Sequence, residues 1–390
     1  MPKEISTSSA WAGDRAVGPE LVSSRYWCAK ELLGSLLVSG CFVSEPDLVT
    51  VVDAREVGSL QSSSAIQGRD GGGSGRAFGR VVFAFGDTVL NVPDADGENW
   101  HHNSFAFTDD AVAGDGIGPL SEPVDAAGAP RYFIAPTAAE EEFNRAHRGD
   151  DCAEAPCGAR YAVWPGEPIW DAARERALIF YGLIYAEPGA FNFHGLGQSI
   201  AVWSSFESEP VRQPTPIWGE DEDAPGIGGV VIADELYSFA CRQRDLVRPC
   251  VLMSAPLDRV LEREAWRFWT GAGFSRQASD ALELFDGAPI MSVQHNAYLG
   301  AYTAVYSSPL SDDVVLRTAP ELGGPWSEPE LLFKANHGAS DGFTYDAVAH
   351  ADFAEDGGRV IYVTYSQPTG ETWFSTRFPV VRVEFLRRRR

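Results

Sequence analysis

Positive charge is scarce in this 390-residue sequence, and the deficit limits the partners the chain can have. The sequence has 31 lysine and arginine residues against 55 aspartate and glutamate residues, so its formal net charge is −24 at pH 7. Nucleic-acid phosphates and anionic membrane surfaces repel a chain of this charge. The composition therefore argues against nucleic acid as a partner and favours a neutral or cationic ligand.

Long apolar runs and several catalytic motifs are also missing. No stretch approaches the roughly 20 apolar residues that span a bilayer, so we expect no transmembrane segment. The sequence has no HExxH, no paired CxxC, no Asp-rich calcium loop and no GxSxG elbow, and "GGGSG" at residues 71–75 lacks the Lys-Ser/Thr of a phosphate-binding loop. We expect no cofactor and no serine-based acyl transfer, although an ion on a central axis stays an open alternative.

Four of the six cysteines form two local pairs. Cys152 and Cys157 enclose the short acidic loop "CAEAPC", and Cys241 and Cys250 lie at the ends of two apolar runs. Each pair is placed to close a loop with a disulfide, which is typical of a chain exported to an oxidising compartment. We therefore predict two disulfides and an extracellular or cell-surface location.

The N-terminal segment, residues 1–45, is rich in Ser, Gly and charge and is interpreted as signal or linker. "LLGSLLVSGC" resembles a bacterial lipoprotein signal, with Cys41 as the lipid anchor and Cys28 removed on cleavage. The alternative is an ordinary strand or short helix with two free thiols, because charges adjoin a short apolar run.

Short β-rich segments recur along the rest of the chain, each preceded by a strongly apolar strand. The recurring segments are "SFAFTDD" at 104, "IAVWSSF" at 200, "VLMSAPL" at 251, "VVLRTAP" at 314 and "TWFSTRF" at 372. Repeats of three or four short strands are typical of propeller blades, and abundant Gly and Pro suits their turns. We predict an all-β, five-bladed β-propeller over residues 46–385, with an insertion around 121–160 and a basic tail at 386–390.

In a propeller the innermost strands converge on a central funnel, so residues remote in sequence become neighbours. The segments just before the apolar strands are taken as innermost. They supply the funnel candidates Asp70, Glu167, Gln294, His295, Asn296, His350 and Asp352, and Asp87 joins them if the hairpin from Asp70 returns it to the same end.

Clustered carboxylates in a polar funnel suit glycosidic cleavage. One carboxyl must stay protonated to donate to the leaving oxygen, while another stays ionised as nucleophile or to activate water. Asp70 and Asp87 are the predicted pair and Glu167 an additional carboxylate. The structural alternatives are a turn-capping role for Asp87 and a solvated surface position for Glu167.

Several other side chains are candidates for binding sugar. Trp100 and Trp164 lie in loop-like segments, where an exposed ring could stack on a sugar face. The polar candidates on the inner strands are Gln294, His295, Asn296 and His350. The two histidines have three readings: they bind hydroxyl groups, ligate an axial ion, or are satisfied core residues.

Over residues 55–385 the sequence resembles a bacterial family of domains of unknown function, some of whose members are endo-D-arabinanases of mycobacteria and related organisms. The resemblance is carried by "GRDGGGS", "VVFAFGDT", "NSFAFT", "MSVQHNAYLGAYTAVYSS", "LRTAPELGGPWSEPELLF" and "GRVIYVTYS" in this order. It implies a five-bladed propeller that acts on a furanoside polysaccharide, with the suspected catalytic pair at Asp70 and Asp87.

We therefore predict a secreted or surface-anchored glycoside hydrolase acting on a neutral, arabinan-like polysaccharide by carboxylate acid/base catalysis. Two alternatives remain: a carbohydrate-binding propeller without catalysis and a surface interaction scaffold.

Overall fold

The structure is a computed structural model that describes residues 49–189, 192–244, 247–338, 343–370 and 374–387. These residues fold mainly into five antiparallel sheets, arranged as a five-bladed β-propeller, which confirms the predicted fold class. The predicted signal or linker segment, with Cys28 and Cys41, lies outside the described residues. So does the basic tail beyond Arg387.

The blades follow one another along the chain, except that the first described strand belongs to the last blade. This strand is β1 (Val49–Ser59). Blade 1 consists of β2 (Ile66–Ala77), β3 (Arg80–Leu90), β4 (Trp100–His101) and β5 (Ser104–Thr108). Blade 2 consists of β6 (Arg160–Pro165), β7 (Ile169–Asp171), β8 (Arg176–Ala186), β9 (Phe193–Trp203) and β10 (Trp218–Gly219).

The three remaining blades have the same order of strands from the axis outwards. Blade 3 consists of β11 (Ile227–Ile232), β12 (Glu235–Cys241), β13 (Pro249–Pro256), β14 (Arg267–Trp269), β15 (Phe274–Ser275) and β16 (Glu283–Asp286). Blade 4 consists of β17 (Ser292–Asn296), β18 (Ala301–Ser307), β19 (Asp313–Ala319) and β20 (Glu330–Lys334). Blade 5 consists of β21 (Tyr345–Ala349), β22 (Val360–Pro368), β23 (Thr376–Arg377) and β24 (Pro379–Arg387), with β1 at its outer edge.

The ring is closed by strands from both ends of the described chain. β1 pairs antiparallel with β24 along its whole length, from Val49 opposite Arg387 to Ser59 opposite Pro379. At the axis, β2 contacts β7 and β21, β7 contacts β11, and β11 contacts β17. These contacts bring the innermost strands of the blades around one funnel.

The hydrophobic core is divided among the junctions between neighbouring blades. Phe83 and Tyr362 belong to the cluster joining blades 1 and 5, and Trp218 and Trp266 to the cluster joining blades 2 and 3. A strand buried on both faces must be apolar throughout, and every residue of β22 from Val360 to Gln367 is buried. This explains the strongly apolar runs that precede the repeated segments.

One of the five predicted repeats is misplaced. The third strand of blade 5 is β24 rather than "TWFSTRF", whose residues 372–373 lie outside the described ranges. The error has a physical reason, because the last blade takes its outer strand from the start of the propeller and so departs from the pattern of the other four.

Between blades 1 and 2 the chain forms α1 (Ala138–Ala146), the one α-helix within the described ranges. It begins at a capping box, in which the Thr137 hydroxyl accepts from the Glu140 amide and the Glu140 carboxylate accepts from the Thr137 amide. Short 3-10 turns occur at Leu257–Arg259, Arg263–Ala265, Ala278–Asp280, Ala351–Phe353 and Asp356–Gly358.

Candidate active site

The glycine-rich inner strand of blade 1 is irregular where it carries Asp70. Its register with β3 shifts between Arg69 and Gly71 and again between Gly71 and Gly73. Gly71 and Gly72 have φ values of +83° and +90°, in the left-handed region that glycine adopts without steric cost. Bulges of this kind turn side chains out of the regular alternation. Asp70 lies at the first of these shifts, without a partner in β3, and is half-buried at the inner edge of the blade.

The hairpin between β2 and β3 brings Asp87 back to Asp70. The Asp87 amide donates a hydrogen bond to the Asp70 carboxylate. A Cβ atom at Gly86 would lie 2.5 Å from Asp70 Oδ1, so the glycine of "FGDT" makes room for this carboxylate. The two predicted catalytic residues are therefore neighbours at one end of blade 1.

Asp87 is held by two indole groups and one cation. Trp100 Nε1 of blade 1 donates to Asp87 Oδ1 at 3.1 Å, and Trp164 Nε1 of blade 2 donates to the same oxygen at 3.4 Å. The Arg160 guanidinium carbon lies 3.9 Å from the centroid of the Trp100 ring, and its charge acts on Asp87. The two tryptophans predicted to bind sugar therefore also bind a carboxylate of the cluster.

A third carboxylate, Asp346, was missed in the sequence. It lies on β21, where the pairing with β22 is irregular between Tyr345 and Val348, and its φ of +56° is rare for a residue with a side chain. Its Oδ2 accepts a hydrogen bond of 3.2 Å from the Gly71 amide, directly after Asp70. The sequence prediction took His350 and Asp352 from this part of the chain and did not include Asp346, which lies a few residues earlier.

Burial raises the pKa of all three carboxyl groups, and for Asp70 the charges of its two neighbours add to the rise. Burial raises the pKa of Asp70 well above its usual range, and the charges of Asp87 and Asp346 raise it further. Burial raises the pKa of Asp346 to about 7, against the hydrogen bond from Gly71. Burial raises the pKa of Asp87 to about 6, while Arg160 and the two indole donors oppose the rise. The cluster therefore holds protons near neutral pH.

Tyr345 lies next to the cluster, on the same strand as Asp346. Burial raises the pKa of its hydroxyl group, and the charges of Asp70, Asp346 and Asp87 raise it further. Tyr345 is half-buried, as are the three carboxylates. The four side chains therefore form the wall of a funnel that solvent reaches and are not sealed in the core.

Glu167 also lies at the axis, but beside Gly73, which is three residues along β2 from Asp70. Its carboxylate accepts a hydrogen bond from the Gly229 amide of blade 3, and its Oε2 would lie 3.2 Å from a Cβ atom at Gly73 of blade 1. Burial raises its pKa. The charge interactions of Asp70 are with Asp87 and Asp346, so Glu167 lies apart from that cluster.

Gln294 and His295 lie on β17, the innermost strand of blade 4, and keep part of their side chains accessible. The His295 ring packs edge-on against Tyr302 of the same blade, with 5.1 Å between the ring centroids. Both residues are therefore near the funnel and available to a ligand.

Asn296 and His350 are buried and bonded within the protein instead of lying on the funnel surface. Asn296 donates to the Gly358 carbonyl at 2.8 Å. His350 is 0% exposed; its Nδ1 is 2.7 Å from the Ser74 hydroxyl and its Nε2 is 2.7 Å from the Thr364 hydroxyl. Burial lowers the pKa of His350 to about 3, so the ring is neutral. Of the three readings of His350, the structure matches the satisfied core histidine.

Asp352 lies at the opposite end of the inner strands from the cluster. It accepts a hydrogen bond of 2.9 Å from Arg76 Nε, six residues along β2 from Asp70. This distance along the strand separates it from the three clustered carboxylates.

Both predicted disulfides are present. Cys152 pairs with Cys157 after α1, and Cys241 pairs with Cys250 between two strands of blade 3. Disulfides of this kind are typical of proteins that fold in oxidising compartments. Among the described residues, no helix combines the length and apolar character needed to cross a membrane, and no group of three or more His, Cys, Asp or Glu residues could hold a metal ion.

One family profile matches the chain, and it is described as "Domain of unknown function (DUF4185)". The match covers residues 202–374, from the end of β9 in blade 2 to blade 5. It supports the resemblance to a domain family of unknown function. The likeness to the arabinanase members of that family stays a prediction. No curated protein matches the chain.

Solved structures with this architecture are similar in fold at low sequence identity. A candidate hydrolase from Bacteroides ovatus has a TM-score of 0.56 and 14% identity, over 83% of this chain and 87% of its own. An exo-β-1,3-galactanase from Phanerochaete chrysosporium has a TM-score of 0.49 and 11% identity, over 84% of this chain and 63% of its own. A GH43_1 enzyme from Xanthomonas citri has a TM-score of 0.45 and 12% identity, over 85% and 91%.

Proposed function

We propose that the protein is a glycoside hydrolase that cleaves a neutral, arabinan-like furanoside polysaccharide at the mouth of the propeller. The observation that carries the proposal is the cluster of Asp70, Asp87 and Asp346, three half-buried carboxylates with raised pKa values on two adjacent blades. The likeness to the hydrolase from Bacteroides ovatus concerns the fold, so the chemistry is argued from these side chains alone.

The surroundings of Asp70 and Asp87 divide the acid and base roles between them. Asp87 accepts hydrogen bonds from two indole groups and faces Arg160, all of which favour its ionised form. Asp70 lies between two other carboxylates, which favours its protonated form. A pair of carboxyl groups whose environments separate their pKa values in this way suits acid/base catalysis.

In the proposed reaction, Asp70 is the general acid. Its proton passes to the glycosidic oxygen as the bond from that oxygen to the anomeric carbon breaks. Ionised Asp87 either attacks the anomeric carbon or takes a proton from the water molecule that does so. Burial, together with the nearby carboxyl groups of Asp87 and Asp346, keeps the proton on Asp70. In this proposal, the sugar chain contacts Trp100, Trp164, Gln294 and His295.

The two disulfides support a location outside the cytoplasm, either extracellular or on the cell surface. A lipid anchor at Cys41 belongs to this proposal. Export would place the protein where polysaccharides of cell walls or of the surroundings are accessible.

The assigned roles can be tested with substrates that differ in their leaving group. For Asp70→Asn we expect cleavage of arabinan to fall by about 10² to 10⁴. Cleavage of a dinitrophenyl arabinofuranoside should fall far less, because this leaving group departs without a proton. Asp87→Asn should lose activity on both substrates. Asp352→Asn, at the other end of the inner strands, is the matched control and should retain activity on both.

Two results would contradict the proposal. If the wild-type protein binds arabinan and never cleaves it, the propeller is a binding module. If Asp70→Asn cleaves arabinan at the wild-type rate, the general acid lies elsewhere.

A further inference from the structure

A cavity of about 380 Å³ lies beside the carboxylate cluster. One wall is the loop between β3 and β4, with Asp96 and Asn99, and the other is the segment that contains α1 and the Cys152–Cys157 disulfide. Arg148, just after the helix, spans the two walls, because it pairs with Glu98 and donates to the Asp96 carbonyl at 3.2 Å.

The cavity and the carboxylate cluster share part of their lining. Trp100 and Arg160 line the cavity, and the same two residues act on Asp87: Trp100 donates to it, and Arg160 opposes the rise in its pKa. The Arg160 guanidinium lies over the Trp100 ring. A ligand in the cavity would therefore be one residue layer away from Asp87.

The cavity wall also contains a buried histidine, His102, whose Nε2 has no hydrogen-bond partner among the described residues. His102, which lines it, is 5% exposed, and its Nδ1 accepts from the Val163 amide at 3.2 Å and from Asn103 Nδ2 at 2.8 Å. Burial keeps this ring neutral by lowering its pKa to about 3. The same Nδ1 also lies 3.3 Å from the Val163 carbonyl, where it would donate in the other tautomer. No residue described by the structure accepts a hydrogen bond from Nε2.

The remaining lining suits a neutral ligand with many hydroxyl groups. Tyr132 offers a ring and a hydroxyl, Glu141 and Asp96 accept hydrogen bonds, and Arg145 and Arg160 donate them. Acidic and basic side chains are present in similar number, so the cavity has no strong preference for a charged ligand. Aromatic faces with mixed donors and acceptors are the usual recognition elements for sugars.

We propose that this cavity binds a further sugar unit of the furanoside chain that is cleaved at the carboxylate cluster. The protein then prefers longer chains to short fragments, because binding energy at a remote unit increases kcat/KM. This inference rests on the proposed function, and the test below separates the two.

The test fills the cavity without touching the carboxylates. Asn99→Trp places a large ring in the cavity from an exposed loop position, and Ala95→Trp places the same ring on the same loop outside the lining. Initial rates are measured on arabino-oligosaccharides of two to eight units and on arabinan. Affinity for the same series is measured by calorimetry in the Asp70→Asn background, where cleavage is suppressed.

We expect the wild-type kcat/KM to rise by about tenfold or more with chain length, because one added contact to the substrate can increase kcat/KM by a factor of this size. Asn99→Trp should abolish this rise and leave the rate on the shortest substrate within about twofold, whereas Ala95→Trp should keep the rise. Unchanged length dependence in Asn99→Trp would overturn the inference, as would a wild-type protein indifferent to length. If affinity depends on length and Asn99 but nothing is cleaved, the proposed function fails and the cavity assignment stands.

Discussion

Removing the indole donor of Trp100 should shift the pH dependence of the reaction. Trp100→Phe keeps an aromatic ring beneath Arg160 but deletes the 3.1 Å hydrogen bond to Asp87. A hydrogen bond to a charged group contributes about 1.5–3 kcal/mol. One pKa unit corresponds to about 1.4 kcal/mol, so the pKa of Asp87 should rise from about 6 by about one to two units.

The assay is the pH profile of kcat/KM on arabinan. Asp87 must be ionised in the proposed mechanism, so a higher pKa moves the acidic limb towards alkaline pH. Activity at pH 6 should therefore fall by about fivefold to fiftyfold, and activity well above pH 8 should fall much less. Trp164→Phe is the matched comparison, because its hydrogen bond to the same oxygen is longer, at 3.4 Å, and its shift should be smaller.

The proposed effect of the Trp100 hydrogen bond on the pKa of Asp87 is refuted if the acidic limb of Trp100→Phe stays at the wild-type pH. It is also refuted if Trp164→Phe produces the larger shift. A uniform loss of activity at every pH would assign Trp100 to sugar binding alone.

Two further predictions concern stability. Burial raises the pKa of Asp346 to about 7, above its value in the unfolded chain. Between about pH 4 and 7 the folded state therefore holds a proton that the unfolded chain has released, and the free energy of unfolding falls as the pH rises through this range. In urea unfolding, Asp346→Asn should therefore be more stable than wild type at pH 8, on the order of 1–3 kcal/mol, with little difference at pH 4. If the two proteins are equally stable at pH 8 as well as at pH 4, the prediction is wrong. Glu122→Gln keeps an acceptor oxygen near Arg69 but removes the negative charge that compensates this buried guanidinium 2.9 Å away, so it should lower the free energy of unfolding by about 3–5 kcal/mol in the same assay. A loss below about 1 kcal/mol would show that the charge pair is replaceable.

The parts of the site that lie close together in sequence could be predicted. Asp70 and Asp87 belong to one hairpin, so a strand prediction alone brings them to the same end of a blade. Four of the five repeated segments were also placed correctly, because a strand buried between two blades must be apolar throughout, and such runs recur before the repeated segments.

The parts that depend on ring closure and on local backbone irregularity could not be predicted. Asp346 accepts a hydrogen bond from the amide of Gly71, which is 275 residues away in the sequence. It faces the cluster because the pairing of β21 is irregular at Asp346. His350 shows the opposite case: it lies just after an inner strand as expected, but its ring points into the junction between blades 1 and 5. No pattern in the sequence shows which inner-strand side chains face the axis when bulges interrupt the alternation.

The pairing of β1 with β24 has a consequence for biosynthesis. Asp70 and Asp87 emerge from the ribosome early and on a single hairpin, whereas Asp346 arrives with the final blade and reaches them when that blade docks against the first. A polypeptide that stops before blade 5 therefore carries two of the three acidic groups without the third. In the proposed reaction, the complete cluster forms only once blade 5 has docked against blade 1.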